Sequence, residues 1–259
     1  MRKPRRLTGV FDLSGKIYGK MRTPTISIIA LRRDVRRAAD PAKAKILARF
    51  FKTGPGEYGA GDKFLGLTVP VSRAIVRKYH ALPLADVKKL LASPNHEERL
   101  IALLVLVEQF QKGGKSERKK IFDLYLASTA RINSWDLVDL SADKIVGAYL
   151  NGRGRALLTR LARSKHLWER RIAMLATFHR IKQGDATEAF RIAKTLLRDR
   201  HDLIHKAVGW MLREAGKRSS ERELRSFLDT HAGVMPRTTL RYAIERLPER
   251  ERRAYLARR

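Results

Sequence analysis

The chain has 259 residues, with 56 Lys and Arg against 26 Asp and Glu, which gives a formal net charge of +30 at pH 7. This excess predicts a polyanionic partner. Nucleic acid is favoured over an anionic membrane because the sequence has no basic amphipathic helix with a bulky apolar face. The absence of cysteine excludes disulfides, thiol nucleophiles and thiolate metal sites.

The first 23 residues are predicted to be a basic flexible arm, rich in Lys and Arg. The arm either adds affinity for phosphate or is a remnant of an expression vector. Residues 24–259 are predicted to form a single helical domain. No later run approaches the ~18 apolar residues of a membrane-crossing helix, so we expect a cytoplasmic protein associated with the bacterial nucleoid.

From about residue 25 onward the apolar residues recur with a helical period, and no run of four or more residues alternates as a strand does. Asp40, Ser93 and Ser134 stand where an N-cap precedes a first helical turn. The pattern predicts a series of short helices at 25–38, 41–52, 71–80, 84–92, 94–112, 116–129, 135–150, 154–163, 167–182, 185–198, 202–216, 219–230, 236–246 and 249–257.

The helix predicted at 94–112 is apolar nearly all round, so neighbouring helices must cover it on several sides. A row of short helix pairs without one dominant long helix favours a stacked solenoid over a four-helix bundle. The predicted fold is therefore all-α, a HEAT-like repeat α-solenoid with a basic concave face. A monomer is the default expectation for this architecture.

One long non-helical stretch, residues 54–63, formally satisfies the glycine pattern of a dinucleotide-binding loop. That interpretation is rejected because a helix precedes the stretch and Pro55 lies inside it, whereas the motif requires a preceding strand. We predict a turn-rich loop that contacts phosphate through Lys63 or its backbone amides.

Asp139 interrupts an otherwise apolar stripe of the helix predicted at 135–150. The same stripe contains Trp135, Ala142, Val146 and Tyr149. A carboxylate placed there costs several kcal/mol of desolvation unless it is paired or lies in a wet cleft. Either an ion pair with an arginine of the next helix pair or a functional site explains it.

Trp210 lies off the core-facing arc of the helix predicted at 202–216, and Arg171 lies on the flank of the core stripe of the helix predicted at 167–182. A purely structural explanation exists for each position: a neighbouring helix could cover Trp210, and Arg171 could lie on a solvated face. However, Trp135 and Arg171 are 36 residues apart and Arg171 and Trp210 are 39 apart, close to one helix-pair repeat. Equivalent helices of successive repeats line one wall, so these side chains are expected to converge with Asp139.

Three segments carry a resemblance to a known family. They are NSWDLVD at 133–139, WERRIA at 168–173 and KAVGWMLRE at 206–214. With these three segments in this order, the chain resembles the AlkD family of alkylpurine DNA glycosylases, and the resemblance covers roughly residues 25–247. The resemblance implies a HEAT-like fold that grips duplex DNA and removes cationic bases such as N3-methyladenine and N7-methylguanine.

The resemblance also implies roles for individual residues. Asp139 would be the catalytic carboxylate, and Trp135 and Trp210 the aromatic walls against the deoxyribose. A base alkylated at N3 or N7 is already a good leaving group, so the remaining task is to stabilise an oxocarbenium-like sugar. A carboxylate and electron-rich indole faces suit that task, the indoles by about 0.5–2 kcal/mol each.

The DNA contacts expected from the resemblance are Arg171, as a backbone-phosphate or cleft contact, with Lys206 and Arg213 beside it. No metal and no cofactor are expected, because His201 and His205 have ligand-like spacing but no carboxylate on the same face. Two alternatives stay open. One is a non-catalytic HEAT-repeat nucleic-acid binder in which the carboxylate is merely ion-paired with Arg171, and the other is a scaffold for acidic proteins.

Overall fold

The computed structural model describes residues 26–258, so the predicted N-terminal arm lies outside the described part. Within this range every regular element is helical, and β-pairing is limited to one isolated bridge between Lys63 and Asn95. The all-α prediction is therefore confirmed. None of the described helices has the length and apolar character needed to cross a membrane.

The helices follow one another along the described chain and are joined by short connections, except for the long loop 51–68 between the second and the third. They are α1 (Ile28–Arg37), α2 (Pro41–Phe50), α3 (Val69–Tyr79), α4 (Leu84–Leu91), α5 (His96–Lys112), α6 (Lys115–Ala127), α7 (Trp135–Asp139), α8 (Ala148–Leu150), α9 (Arg155–Ala162), α10 (Leu167–Ala176), α11 (Phe178–Ile181), α12 (Thr187–Leu196), α13 (Asp202–Arg218), α14 (Glu221–His231), α15 (Arg237–Ala243) and α16 (Glu249–Ala257). Two 3₁₀ turns, Thr129–Arg131 and Ala232–Val234, and a π-helical turn, Asp143–Gly147, complete the set.

The predicted helix starts are mostly confirmed. The Asp40 carboxylate accepts two backbone amides of the first turn of α2, and Ser134 precedes α7 with extended backbone angles. Ser93 is wrong as an N-cap, because α5 begins only at His96. The Ser93 hydroxyl instead accepts the Asn95 amide at 3.1 Å, in a turn that precedes the helix.

The predicted helix 135–150 is divided into α7, a π-helical turn and α8, and the predicted helix 167–182 is divided into α10 and α11. The Ser141 hydroxyl donates to the carbonyl four residues earlier at 2.5 Å. Gly147 lies so close to α10 that an added Cβ would be 2.3 Å from the Ala176 carbonyl oxygen. The π turn inserts an extra residue into the helical register. Tyr149 consequently leaves the Trp135 stripe and stacks on Phe122 at 4.1 Å.

The helices form two rows. In the inner row α5, the π turn with α7, α10, α13 and α15 are successive neighbours, and α4, α6, α9, α12 and α14 pack along their other side. The arrangement is solenoid-like, as predicted, because each pair contacts mainly the next pair. Helix α5 is buried along most of its length, which confirms its prediction as a covered helix. The basic concave face stays a prediction.

Candidate functional site

A cavity of about 570 Å³ opens where the inner-row helices meet α2 and the loop that follows it. The cavity is lined by Phe50, Lys52, Tyr58, Trp135, Arg171, His201, Asp202, Leu203, Lys206, Trp210, Arg213 and Tyr242. Five of the residues predicted from sequence to be functional are therefore brought together, on α7, α10 and α13. The 36- and 39-residue spacings place them on successive helices of one row, as expected.

Asp139 joins this cleft through Arg171. The guanidinium Nε and Nη2 atoms of Arg171 donate to the two oxygens of Asp139 at 2.9 and 2.8 Å, and its Nη1 donates to the Leu203 carbonyl at 2.5 Å. The carboxylate side chain is 15% exposed and the arginine side chain 6%, and only the arginine lines the cavity. The internal ion pair, which was one of the two explanations predicted for a carboxylate at this position, is therefore present in the structure.

Burial raises the pKa of Asp139 above its ordinary value, and the charge of Arg171 opposes that shift. The negative charges of Asp136 and Asp143 add to the rise. Because Arg171 contacts both oxygens, it favours the ionised carboxylate at the edge of the cleft. Each oxygen retains a further lone pair that the contact with Arg171 does not use.

Trp135 is half-buried and packed between other aromatic side chains. Its ring stacks on Phe51 with centroids 5.2 Å apart and meets the edge of Phe50 at 6.0 Å. Its indole Nε1–H donates to the Tyr58 hydroxyl at 3.3 Å. The ring is therefore held on several sides while it lines the cavity.

Trp210 is half-buried on α13 and lines the same cavity, with Phe178 at 6.0 Å between ring centroids. The prediction that it lies off the core face of its helix is confirmed, whereas Trp168 is buried in the core as expected. Gly209, the neighbour of Trp210, lies where α15 packs against α13. A Cβ added to Gly209 would lie 2.5 Å from the Tyr242 Cβ and 2.6 Å from the Thr239 carbonyl oxygen. Helix α15 can therefore pack closely against α13 beside the cleft.

Cations outnumber anions among the residues that line the cavity, with Lys52, Arg171, Lys206 and Arg213 against Asp202. Lys206 is paired with Asp202 at 2.6 Å, and its side chain is 41% exposed. Arg213 is paired with Glu245. A cleft of this charge attracts phosphate, and surface ion pairs of this kind exchange readily for phosphate contacts.

Lys63 lies outside the cleft. Its side chain is exposed and does not line the cavity, while its carbonyl oxygen accepts the His96 amide at 2.8 Å. The loop amides that follow it are also occupied, because the Glu97 carboxylate accepts those of Leu65, Gly66 and Leu67 at 2.8–3.2 Å. Backbone amides of this segment therefore anchor the loop to α5, and a phosphate contact by the Lys63 side chain stays a prediction.

The loop is also tied to α7 through a buried histidine. The two ring nitrogens of His96 lie 2.8 Å from Asp62 in the loop and 2.8 Å from Asp136, the neighbour of Trp135. Arg99 donates to the other oxygen of Asp62. Burial opposes the charged imidazole, but the hydrogen bonds with Asp136 and Asp62 outweigh it and raise the pKa of His96 to about 9.

Sequence reasoning missed the contribution of the loop to the cleft. The signal that could have indicated this contribution is an aromatic residue, Tyr58, within the glycine-rich stretch of an otherwise helical chain. His201 stands at the start of α13, where its Nδ1 accepts the Leu203 amide at 3.1 Å. Among residues 26–258, no three Asp, Glu or His side chains are grouped as metal ligands would be.

The fold and the cleft define an all-α repeat protein whose aromatic, cation-lined cavity is built from successive inner helices. The chain matches the DNA alkylation repair enzyme family over residues 31–247 and belongs to that family. It therefore has a role in the repair of alkylated DNA.

A solved structure described as a predicted DNA alkylation repair enzyme from Enterococcus faecalis is similar, with a TM-score of 0.63. It shares 17% sequence identity, and the alignment covers 82% of this chain and 97% of that one. At this identity the likeness concerns the fold alone. No curated protein sequence matches the chain.

Proposed function

We propose that the protein is a DNA glycosylase that hydrolyses the N-glycosidic bond of cationic alkylated purines, such as N3-methyladenine and N7-methylguanine, in duplex DNA. The observation that carries the proposal is the convergence of Trp135, Trp210 and Arg171 on one cleft, with the Asp139 carboxylate held directly by Arg171. Family membership supports DNA as the substrate.

The proposed chemistry uses the charge of the lesion. The bond between C1′ and the purine nitrogen breaks, and its electron pair leaves with the base, which becomes neutral. Positive charge then develops on the deoxyribose, where the indole faces of Trp135 and Trp210 and the Asp139 carboxylate stabilise it. Water adds to C1′ and loses its proton to solvent or to the carboxylate, which gives an abasic site.

The cations of the cleft serve DNA binding in this proposal. Lys206 and Arg213 exchange their carboxylate partners for phosphate oxygens, and Lys63 contacts the backbone outside the cleft. Arg171 is assigned a different task from a simple phosphate contact, because its guanidinium is already engaged by Asp139 and by the Leu203 carbonyl. It keeps the carboxylate charged and oriented. The proposal includes a monomeric protein that uses no cofactor.

A second candidate is a non-catalytic binder of duplex DNA, and the same ion pair favours it. In that case Arg171 neutralises Asp139 permanently, and the pair is a structural link between α7 and α10. Both candidates predict binding of duplex DNA, but only the glycosylase releases base.

Release of N7-methylguanine and N3-methyladenine from methylated duplex under single-turnover conditions separates the two candidates. Asp139→Asn is expected to lower the rate at least about a hundredfold and to keep duplex affinity within about threefold, because the change removes charge and keeps shape. Asp199→Asn is the matched control, since Asp199 is paired at 2.6 Å with Arg170, the neighbour of Arg171 on α10, and does not line the cavity.

Asp199→Asn is expected to excise at close to the wild-type rate. Retention of that rate by Asp139→Asn would remove the carboxylate from the mechanism. A wild-type protein that binds methylated duplex and releases no base would establish the binder.

A further inference from the structure

We propose that Tyr58, carried into the cleft by the glycine-rich loop, is a positioning residue that fixes the indole of Trp135 against the substrate. This inference rests on the proposed function, because the orientation of the Trp135 indole affects catalysis only if the protein is a glycosylase. It assigns a task to a loop that neither the helical repeat nor the family description explains.

The contact is direct and long-range. The Trp135 indole Nε1–H donates to the Tyr58 hydroxyl at 3.3 Å, across 77 positions of sequence. Stacking on Phe51 restrains the tilt of the indole ring but leaves rotation within its own plane to other contacts. The hydrogen bond at the ring edge supplies that restraint, because it fixes the direction of the N–H vector.

Tyr58 is itself held firmly enough to act as a reference point. Its ring meets the edge of buried Trp168 at 6.1 Å, and the loop ends in the buried contacts of Asp62 with His96 and Arg99. His96 continues this connection to Asp136, the residue next to Trp135. The loop and the first turn of α7 are thus fixed relative to each other at two points.

The hydroxyl of Tyr58 has chemistry left for a ligand. It accepts the indole N–H with one lone pair, and its own hydrogen remains available to donate into the cavity that Tyr58 lines. Partial burial raises the pKa of Tyr58, and nearby negative charges reinforce the rise, so the phenol stays protonated at neutral pH. The acceptor that fits is an oxygen of the DNA backbone or sugar beside the indole face.

Tyr58→Phe removes the hydroxyl and keeps the ring, and Tyr149→Phe is the matched control, because Tyr149 stacks on Phe122 and does not line the cavity. The indole N–H resonances of the uniformly ¹⁵N-labelled protein report each of its three tryptophans. Trp135→Phe assigns the resonance of interest. In Tyr58→Phe the Trp135 resonance is expected to shift and to exchange faster with solvent, while those of Trp168 and Trp210 stay in place.

Single-turnover excision by Tyr58→Phe is expected to be roughly two- to tenfold slower than wild type, as befits one neutral hydrogen bond, with duplex affinity within about twofold. A Trp135 resonance that does not move, or an unchanged excision rate, would overturn the inference. A lower melting temperature with an unmoved resonance would likewise assign Tyr58 to loop anchoring alone.

The two proposals fail separately. If wild type releases no base, the glycosylase proposal is refuted, and the indole resonance still decides whether Tyr58 holds Trp135. If wild type is active and the resonance does not respond to Tyr58→Phe, only the positioning role is refuted.

Discussion

Replacement of His96 by Gln is expected to remove a large pH dependence from the stability of the protein. His96 is almost fully buried between Asp62 and Asp136, at 2.8 Å from each, and its pKa is raised from 6.5 to about 9. A group whose pKa is higher in the folded state binds its proton more tightly there. Its contribution to stability is therefore fully present below pH 6.5 and is lost as the pH rises through 9.

The size of this effect follows from the shift. The rise from 6.5 to about 9 in the pKa of His96 corresponds to about 3 kcal/mol, at 1.36 kcal/mol for each pKa unit. For a chain of this length, that loss lowers the melting temperature by roughly 6–12 °C. The decrease is concentrated between pH 6.5 and 9.5, where the imidazolium gives up its proton between two carboxylates.

The assay is thermal unfolding of wild type, His96→Gln and His80→Gln at half-unit steps across this range. His96→Gln is expected to be less stable than wild type at pH 6.5 and to approach it at pH 9.5, because glutamine cannot gain or lose a proton. Exposed His80 is the control and should leave the wild-type profile unchanged. Equal slopes for wild type and His96→Gln would refute the reasoning.

Two further substitutions test the cleft. Gly209→Ala is expected to cost about 1–3 kcal/mol of unfolding free energy in denaturant titration, because the new Cβ would meet Tyr242 and the Thr239 backbone. Gly114→Ala, whose Cβ would meet nothing within 4 Å, should stay within about 0.5 kcal/mol of wild type, and equal losses would contradict the packing argument. Trp210→Ala is expected to slow single-turnover excision roughly two- to thirtyfold with a smaller loss of duplex affinity. A change in melting temperature alone would show that this indole serves packing.

The helices were predictable from sequence because their apolar period is strong and local. The same apolar period predicted that Trp210 lies off the core face of α13, because it sets the angle of each side chain around the helix. The convergence of Trp135, Arg171 and Trp210 followed from spacing, because successive inner helices line one wall. The partnership of Asp139 with an arginine was one of two explanations that the sequence left open, and only the distances between atoms identified it.

The remainder depends on contacts between distant segments. His96, Glu97, Glu98 and Arg99 are polar residues in the first turn of α5, yet all four are buried. The segment 62–67 supplies partners for His96, Glu97 and Arg99, Asp136 is the second partner of His96, and Arg32 of α1 pairs with Glu98. The π turn ends at Gly147, where α10 comes so close that no side chain would fit, and no local pattern encodes that approach. Local propensity thus fixes the helices, whereas loop docking and helix register depend on tertiary contacts.

The docked loop alters how this solenoid can come apart. In an ideal array of repeats each unit touches only its neighbours, so an end can fray while the middle stays intact. Here the Tyr58 hydroxyl and the Asp62 carboxylate connect the segment after α2 to α5 and α7. Opening of the N-terminal end must therefore break contacts at the cleft, and we expect amide hydrogen exchange in these segments to proceed as one cooperative unit.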